Sequence, residues 1–410
     1  MKFLILNIDY PEFLSWFYKQ HPGLDQASYD EQLKMRENSL VSESSFYVKN
    51  LKKMGHEARV IYINNKLLQK SWAVEHGMAR YANSLEKSTD FRLKFIKLEN
   101  YLAKHAKNSR FPEHYLISAY NTAYNIFQEK ILKPDKWMYP ILEKQIQYYH
   151  PDVLLNEAMR IIHNNFLKKI KPETNYLIGQ HAATSFPNNT NFSAYDLVIS
   201  SFPPTVDFFK NLGVPAELLR LGFESTIIDD FPNENRSIDV SFIGSFFSVH
   251  SSRVKWLETI YEKTPELKVW ASNLHSLQPT SPVLKAYQGS AWGREMYHIF
   301  HRSKITLNHH GDVLPYANNL RLYEATGMGA LLITDWKKNL LDMFEPDKEV
   351  ITYRTPEDCA EKIRFYLEND KERENIAHAG HKRTLIEHTY ENRMKEFVNI
   401  IHNRRIARSF

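Results

Sequence analysis

The chain has 410 residues, 43% of them hydrophobic and 25% charged, the composition of a globular protein long enough for two or three domains. Its single cysteine, Cys359, excludes an intrachain disulfide and a cysteine-based zinc site and points to a reducing compartment. The net charge of +5, from 53 basic and 48 acidic residues spread along the chain, suits an anionic small ligand or a weak contact with acidic lipid and gives no reason to expect nucleic acid.

The opening MKFLILNIDYPEF carries a lone lysine and a short apolar run broken by Asn7 and Asp9, unlike a signal peptide. No run approaches the ~18 apolar residues of a membrane span, so the expectation is a soluble, cytoplasmic protein. KFLILNI (2–8) reads as a buried strand. ESSFYVKNLKKMGHEARVIYIN then reads as a helix, a stop at Gly55 and a strand at 58–63, the strand–helix–strand pattern of a parallel sheet. Residues 65–150 read as a charged, aromatic-rich helical insertion. Strands resume at 152–156, in NYLIGQHA (175–182), in YDLVISS (195–201) and in VPAELLRLGF (214–223).

ESTIIDDFPNENRS (224–237), polar and with a proline and four acids, reads as a linker. A second series follows: IDVSFIGSF (238–246), LKVWAS (267–272), KITLNHH (304–310), ALLITD (330–335) and EVITYR (349–354). PEDCAEKIRFYLEND has proline and acids in its first turn, good helix-start chemistry, and places Cys359 on a half-buried helix face. Two further helices fill 371–405. The expectation is α/β: one parallel-sheet domain over 1–223, a second over 238–388, and a closing helix in 389–410. Ligands in such folds sit beyond the carboxyl ends of the strands.

Motifs exclude several chemistries. There is no G-x-G-x-x-G after a leading strand, no Walker A, no G-x-S-x-G, and no Asp-x-Asp to hold a nucleotide sugar through a metal. Neighbours on a strand point to opposite faces, so His309 and His310 make a poor metal pair; no metal is expected. Asn308, His309 and His310 stand at a strand's carboxyl end, and a helix should begin near Asn318, with Asn318 or Asn319 as N-cap. That layout offers free N–H groups to an anion. Arg321 would add a fork donor for phosphate, and Glu324 could accept from two vicinal hydroxyls of a ribose or sugar. The plainer reading makes Arg321 and Glu324 an i,i+3 surface pair. FIGSFFSVHSSR (242–253) repeats the layout: Gly244 and Ser245 at a strand end, Arg253 on the next helix. GREMYHIF (293–300) is an amphipathic helix start.

In order, SFIGS…HSSR, GREMYHIFHRSKITLNHHGD, NNLRLYEATGMGALLITDW and YRTPEDCAEKIRFYLENDKERENIAHAGHKRTLIEHTYENRM resemble the C-terminal domain of CgeB-like, group 1-type glycosyltransferases with the GT-B architecture. The pattern N-x-R-x-[FY]-E-A-x-x-x-G, then an apolar strand ending Thr-Asp, is met by Asn319, Arg321, Tyr323, Glu324, Ala325, Gly329 and Thr334–Asp335. The resemblance covers roughly 238–398; the N-terminal half matches in layout. It implies two Rossmann-like domains facing a cleft, with the donor nucleotide sugar on the second and the acceptor on the first. Glu324 then matches the ribose-contacting glutamate. Asn319, Arg321, Gly244 and Ser245 fall near the diphosphate and sugar, with Arg253, Asn308, His309 and Leu320 completing the donor set. Many retaining relatives carry a second Glu eight positions earlier; Tyr316 stands there, which leaves the stereochemistry and the sugar-facing residue open.

Without a metal, the charge on the departing diphosphate must be met by helix N-termini and by Arg or Lys. An inverting reaction also needs a base on the acceptor. His181 is the first candidate, since its titration range suits the task, followed by Asp9 and Glu157, all at strand ends of the N-terminal half. No cofactor is expected beyond the nucleotide-sugar substrate, and the acceptor could be a glycan or lipid-linked. Two other classes stay open: a sugar-nucleotide 2-epimerase or phosphorylase on the same architecture, and a non-catalytic nucleotide- or glycan-binding module. The basic tail HNRRIARSF (402–410) fits a frayed, solvated end better than a peripheral contact at the inner membrane face.

Overall fold

The computed structural model describes residues 1–82, 138–182, 191–232, 234–246, 251–272, 274, 277–310 and 315–406. Its strands, in chain order, are β1 (Lys2–Asn7), β2 (Glu57–Tyr62), β3 (Val153–Asn156), β4 (Tyr176–Gln180), β5 (Leu197–Ser200), β6 (Ala216–Leu218), β7 (Ile238–Gly244), β8 (Leu267–Ala271), β9 (Ser303–Asn308), β10 (Leu331–Asp335) and β11 (Ile351–Tyr353). The first six form one sheet, ordered β2-β1-β3-β4-β5-β6, and the last five another, ordered β11-β10-β9-β7-β8. Pairing is parallel, as between Phe3 and Val153, Val198 and Ala216, and Leu331 and Ile305. Parallel strands are covered on both faces and therefore read as continuous apolar runs. VLLN, LVIS and LLITD are buried at every position. Each segment read as a strand holds one, though VPAELLRLGF (214–223) supplies only Ala216–Leu218. Of the helical insertion, helices Lys66–Glu75 and Met138–Tyr149 are described; 83–137 lie outside the described residues.

Packing divides the chain into two compact units: Met1–Arg36 with Arg59–Leu177, and Glu37–Ala58 with Ile178–Phe410. In the first, the loop after β1 is locked by a buried ion pair. Arg36 Nε donates to both carboxylate oxygens of Asp9 at 3.0 and 3.1 Å. Its guanidinium lies 4.5 Å from the Phe13 ring centroid and 4.2 Å from that of Tyr62. Removing one partner of such a pair strands the other charge and costs roughly 3–5 kcal/mol.

In the second unit, helices Ser251–Lys263 and Pro356–Glu368 pack on one another and on one face of the second sheet. Trp256, Leu257, Ile260, Cys359 and Ile363 bury against Val240, Phe242, Ile305, Leu307 and Ile333. Cys359 is fully buried rather than half-buried. The intervening Ser241 points the other way, to Thr306 at 3.0 Å and Ser303 at 2.8 Å. Helices Arg321–Gly327 and Asp370–Glu387 also pack together, joined by Thr326 and Thr384 hydroxyls 2.7 Å apart. Gly293 precedes helix Arg294–Arg302 with φ +52°; a Cβ there would lie 1.8 Å from the Ser39 carbonyl oxygen. Residues Ser225–Asp230 of the expected linker form a 3-10 helix.

The segment before that 3-10 helix is stitched to the start of the last helix, Tyr390–Ile406. Phe223 donates to the His388 carbonyl and accepts from the Tyr390 amide at 2.8 and 2.9 Å, and Tyr390 stacks on Phe46 at 5.2 Å. Arg393 donates to the Leu221 carbonyl and to His388 Nδ1, both at 2.9 Å. Arginine can only donate, so Nδ1 is the acceptor and Nε2–H donates to the Met343 carbonyl at 2.7 Å. Burial, opposed by that carbonyl and reinforced by Arg393, Arg383 and Arg220, pushes the His388 pKa down to about 4. The unfolded chain takes up this proton near pH 6.5. The contribution to stability is therefore complete above pH 6.5 and lost as pH falls toward 4, about 3 kcal/mol in all. Urea midpoints between pH 7.5 and 4.5 should fall less steeply in His388→Gln than in the wild type; identical slopes would remove His388 from the account.

Candidate functional site

Parallel pairing brings the carboxyl ends of β7, β9, β10 and β11 to one edge, with Asn308 in register with Thr334 and Asp335 with Tyr353. Asn308 is the hub. Its Nδ2 donates to Thr334 Oγ1 at 2.9 Å, its Oδ1 accepts from Asn319 Nδ2 at 2.8 Å, and its carbonyl accepts from the Tyr353 hydroxyl at 2.9 Å. The two histidines diverge. His309 stacks on Trp256 at 4.9 Å, with Nδ1 2.9 Å from the Tyr353 hydroxyl and Nε2 3.2 Å from Ser252 Oγ. Tyr353 spends its proton on Asn308, so His309 Nδ1 carries a hydrogen and Nε2 accepts from Ser252. His310 is buried; its Nδ1 lies 2.6 Å from Asp335 Oδ1, and its backbone N–H donates to the same oxygen at 3.0 Å. Burial alone would raise the Asp335 pKa. The His310 hydrogen bond and the neighbouring positive charge, Lys337 included, outweigh burial and hold the carboxyl below the usual range.

Arg253 is buried and clamps two strand ends, donating to the carbonyls of Ser245 and His309, each at 2.7 Å. Gly244 lies beneath it, where a Cβ would meet Phe242 at 2.8 Å. Residues 247–250 and 311–314 of the two loops lie outside the described residues. The loop before Asn319 is pinned by Asn339, which accepts from the Ala317 amide at 2.6 Å and donates to its carbonyl at 3.0 Å. At Tyr316, where a second glutamate could have stood, the Lys338 ammonium lies 4.1 Å over the ring.

The helix expected from about Asn318 starts instead at Arg321. Leu320 is its N-cap, without a side-chain cap, and Asn319 is committed to Asn308. Seven residues, Arg321–Gly327, carry a weak dipole, so anion binding at this edge must rest on side chains rather than on the helix end. Arg321 and Glu324 do pair at i,i+3, with Nη1 2.5 Å from Oε2. They are not a surface pair: the side chains are 15% and 8% exposed. Arg321 lies 4.5 Å over the Phe300 ring. Burial pushes the Glu324 carboxyl up, and Arg321 pulls it back.

A cavity of about 530 Å³ opens at this edge, lined among others by Trp256, His309, Asp335, Lys337, Tyr353 and Thr355, a volume within the range of small-molecule sites. A second, of about 310 Å³, lies at the opposite edge by Arg236, Lys304, Gly329 and Arg373. Its cations serve structure. Arg236 donates to the carbonyls of Phe300, His301, Ser303 and Met328, Lys304 to Asp239, and Arg373 to Asp370. Among the described residues no group of three or more His, Cys, Asp or Glu is placed to hold a metal ion.

The N-terminal candidates also sit at strand ends. Asp9 follows β1 and is engaged by Arg36. Glu157 follows β3, accepts from Asn7 Nδ2 and donates its amide to the Leu6 carbonyl at 2.9 Å. His181 follows β4 and donates its amide to the Ile199 carbonyl at 3.2 Å. The structure gathers Ser245, Arg253, Asn308, His309 and Asn319 into one bonded network with Gly244 beneath Arg253, and sets Leu320 at the cap and Arg321 and Glu324 on the helix that follows. Sequence reasoning overlooked the His310–Asp335 pair. Its signal was present: two adjacent parallel strands ending in NHH and TD.

Residues 252–399 match the family model described as "Glycosyl transferase-like". No curated protein matches the chain in sequence. Among solved structures, a glycosyltransferase from Rickettsia africae is 11% identical, with 98% of each chain covered and a TM-score of 0.54. HepE from Anabaena, in complex with UDP-glucose, is 10% identical, covering 98% of this chain and 100% of that one at a TM-score of 0.55. AviGT4, a glycosyltransferase involved in avilamycin A biosynthesis, is 10% identical, covering 97% and 96% at a TM-score of 0.52. The fold is GT-B. No described helix is long and apolar enough to cross a membrane.

The Arg253 clamp is open to test. Lysine keeps the charge but cannot reach two carbonyls in a fork, so Arg253→Lys should lower unfolding stability by about 1–2 kcal/mol. A urea midpoint equal to wild type would show that the clamp contributes nothing.

Proposed function

We propose that this protein is a metal-independent glycosyltransferase, of hexosyl or related type and akin to the CgeB-like group. It moves a sugar from a nucleoside diphosphate to a glycan, lipid-linked, protein or small-molecule acceptor. One observation carries the reading: the buried Arg321–Glu324 pair stands just after the Asn308–Asn319 network at the carboxyl edge of the second sheet, inside the stretch that matches a glycosyl transferase-like family. Glu324 keeps carboxylate lone pairs beyond those facing Arg321, and these accept the ribose hydroxyls. Arg321, Asn319 and the Gly244–Ser245 loop face the diphosphate and sugar, while Arg253 holds that loop in place. Residues 238–388 form the donor domain, 1–223 the acceptor domain, 224–237 the linker and 389–410 a closing helix.

In the reaction the anomeric C–O bond breaks with its electron pair going to the diphosphate, and the acceptor oxygen bonds the anomeric carbon. The acceptor's proton passes to a base in an inverting course. His181 stays first among the candidates, ahead of Asp9 and Glu157, because imidazole is the side chain whose ordinary titration range suits a base at neutral pH. UDP is the first nucleotide to try, because HepE was solved with UDP-glucose and with UDP.

Thermal shift against UDP, GDP and dTDP should show stabilisation by one of them, about 2.7 kcal/mol at a hundredfold excess over Kd. Binding without turnover across acceptors would favour a binding module, and release of free nucleotide without acceptor an epimerase. Glu324→Ala should weaken the intact nucleotide roughly tenfold or more, from loss of hydrogen bonds to a charged group, and leave pyrophosphate unaffected; unchanged nucleotide affinity would sink the ribose role. Transfer activity should survive EDTA, and strict dependence on a divalent ion would end the metal-free mechanism.

A further inference from the structure

We propose that His310, oriented by Asp335, is a ligand of the donor's diphosphate and presents its Nε2–H to a phosphate oxygen. This rests on the nucleotide-sugar reading above. His310 is 4% exposed, and its Nε2 has no hydrogen-bond partner among the described residues. Its other polar groups are used with care: Nδ1 lies 2.6 Å from Asp335 Oδ1, and the backbone N–H donates to that oxygen at 3.0 Å. A residue held through Nδ1 and its backbone N–H, with the remaining ring nitrogen buried and unpaired, carries an unmet desolvation cost. A ligand that fills the position removes that cost.

The surroundings select the ligand's charge. Asp335 is the carboxylate on the ring, and Lys337 offsets it at 3.2 Å. His309 is the chain neighbour. From helix Ser251–Lys263, Arg253 donates to the carbonyl just before His310. From β11, Tyr353 binds the Asn308 carbonyl, and from helix Pro356–Glu368 the buried Cys359 packs in the same core; burial pushes both pKa values up, so both are neutral at working pH. Asn308 Nδ2 lies at a marginal 3.5 Å from His310 Nδ1. Asp335 and Lys337 both line the 530 Å³ cavity, where Lys255 and Arg354 add positive charge and Glu357 the one further carboxylate, so the balance of the lining is cationic. Because Asp335 accepts from Nδ1–H, Nε2 donates only in the imidazolium form. Diphosphate binding is therefore linked to one proton and weakens as pH rises. A hydroxyl ligand would need the neutral ring and show the opposite sign.

Calorimetry of UDP and of uridine between pH 5.5 and 8.5 separates these cases, with His310→Gln and His310→Ala beside the wild type and urea midpoints to verify folding. The wild type should lose about tenfold more UDP affinity across this range than His310→Gln, whose amide N–H donates at every pH. The ligand's own ionisation is common to both proteins and cancels. His310→Ala should weaken UDP at least tenfold at pH 6 and leave uridine unchanged. Equal pH slopes in wild type and His310→Gln, an opposite sign, or equal losses for UDP and uridine would each overturn the proposal while leaving the nucleotide reading intact. If UDP does not bind, inorganic pyrophosphate is the probe. Binding that His310→Ala abolishes keeps the proposal and removes the nucleotide reading, and no binding of either ligand overturns both.

Discussion

Asn308 is the residue on which the candidate site depends. In a parallel sheet every carboxyl end emerges on the same edge, and each end must satisfy its last polar groups without a strand to continue the ladder. Asn308 does this for β9, β10 and β11 together, through Thr334, Asn319 and the Tyr353 hydroxyl. Arg253 extends the connection to β7 by holding the Ser245 and His309 carbonyls. Four strand ends are thus bonded to one another before any ligand arrives. Groups fixed in this way do not have to reorganise to meet a ligand.

The chain buries charge in two ways. Asp9 and Arg36 are closed off between aromatic rings, a pair whose partners are fully occupied and which stiffens a loop. Arg321 and Glu324 are nearly as buried but stand by the carboxyl edge of the second sheet, where burial pushes the carboxylate up and one arginine pulls it back. His310 with Asp335 is a third case, in which one nitrogen is committed and the other is not.

The architecture was legible because its signal is local. Short apolar runs bounded by Gly, Pro, Asn and Asp, separated by helical patterns, yielded the eleven strands found among the described residues, and NLRLYEATG marked the helix that carries Arg321 and Glu324. The exact helix start was not legible. Asn319 has the right side chain for an N-cap, but Asn308 competes for it across eleven residues of chain. Pattern likewise made Arg321 and Glu324 look like a surface pair; burial under Phe300 and Met296 comes from a helix far away in sequence.

By itself, then, the sequence determined the element types and their order, the parallel character of both sheets, and which residues would stand at strand ends, because backbone periodicity and side-chain volume act over a few residues. Only the tertiary structure decided which of those residues meet. His309 turned to Trp256 and Tyr353, and His310 turned to Asp335 on the neighbouring strand. Strand register brought together groups 25 positions apart, and no local pattern records that pairing.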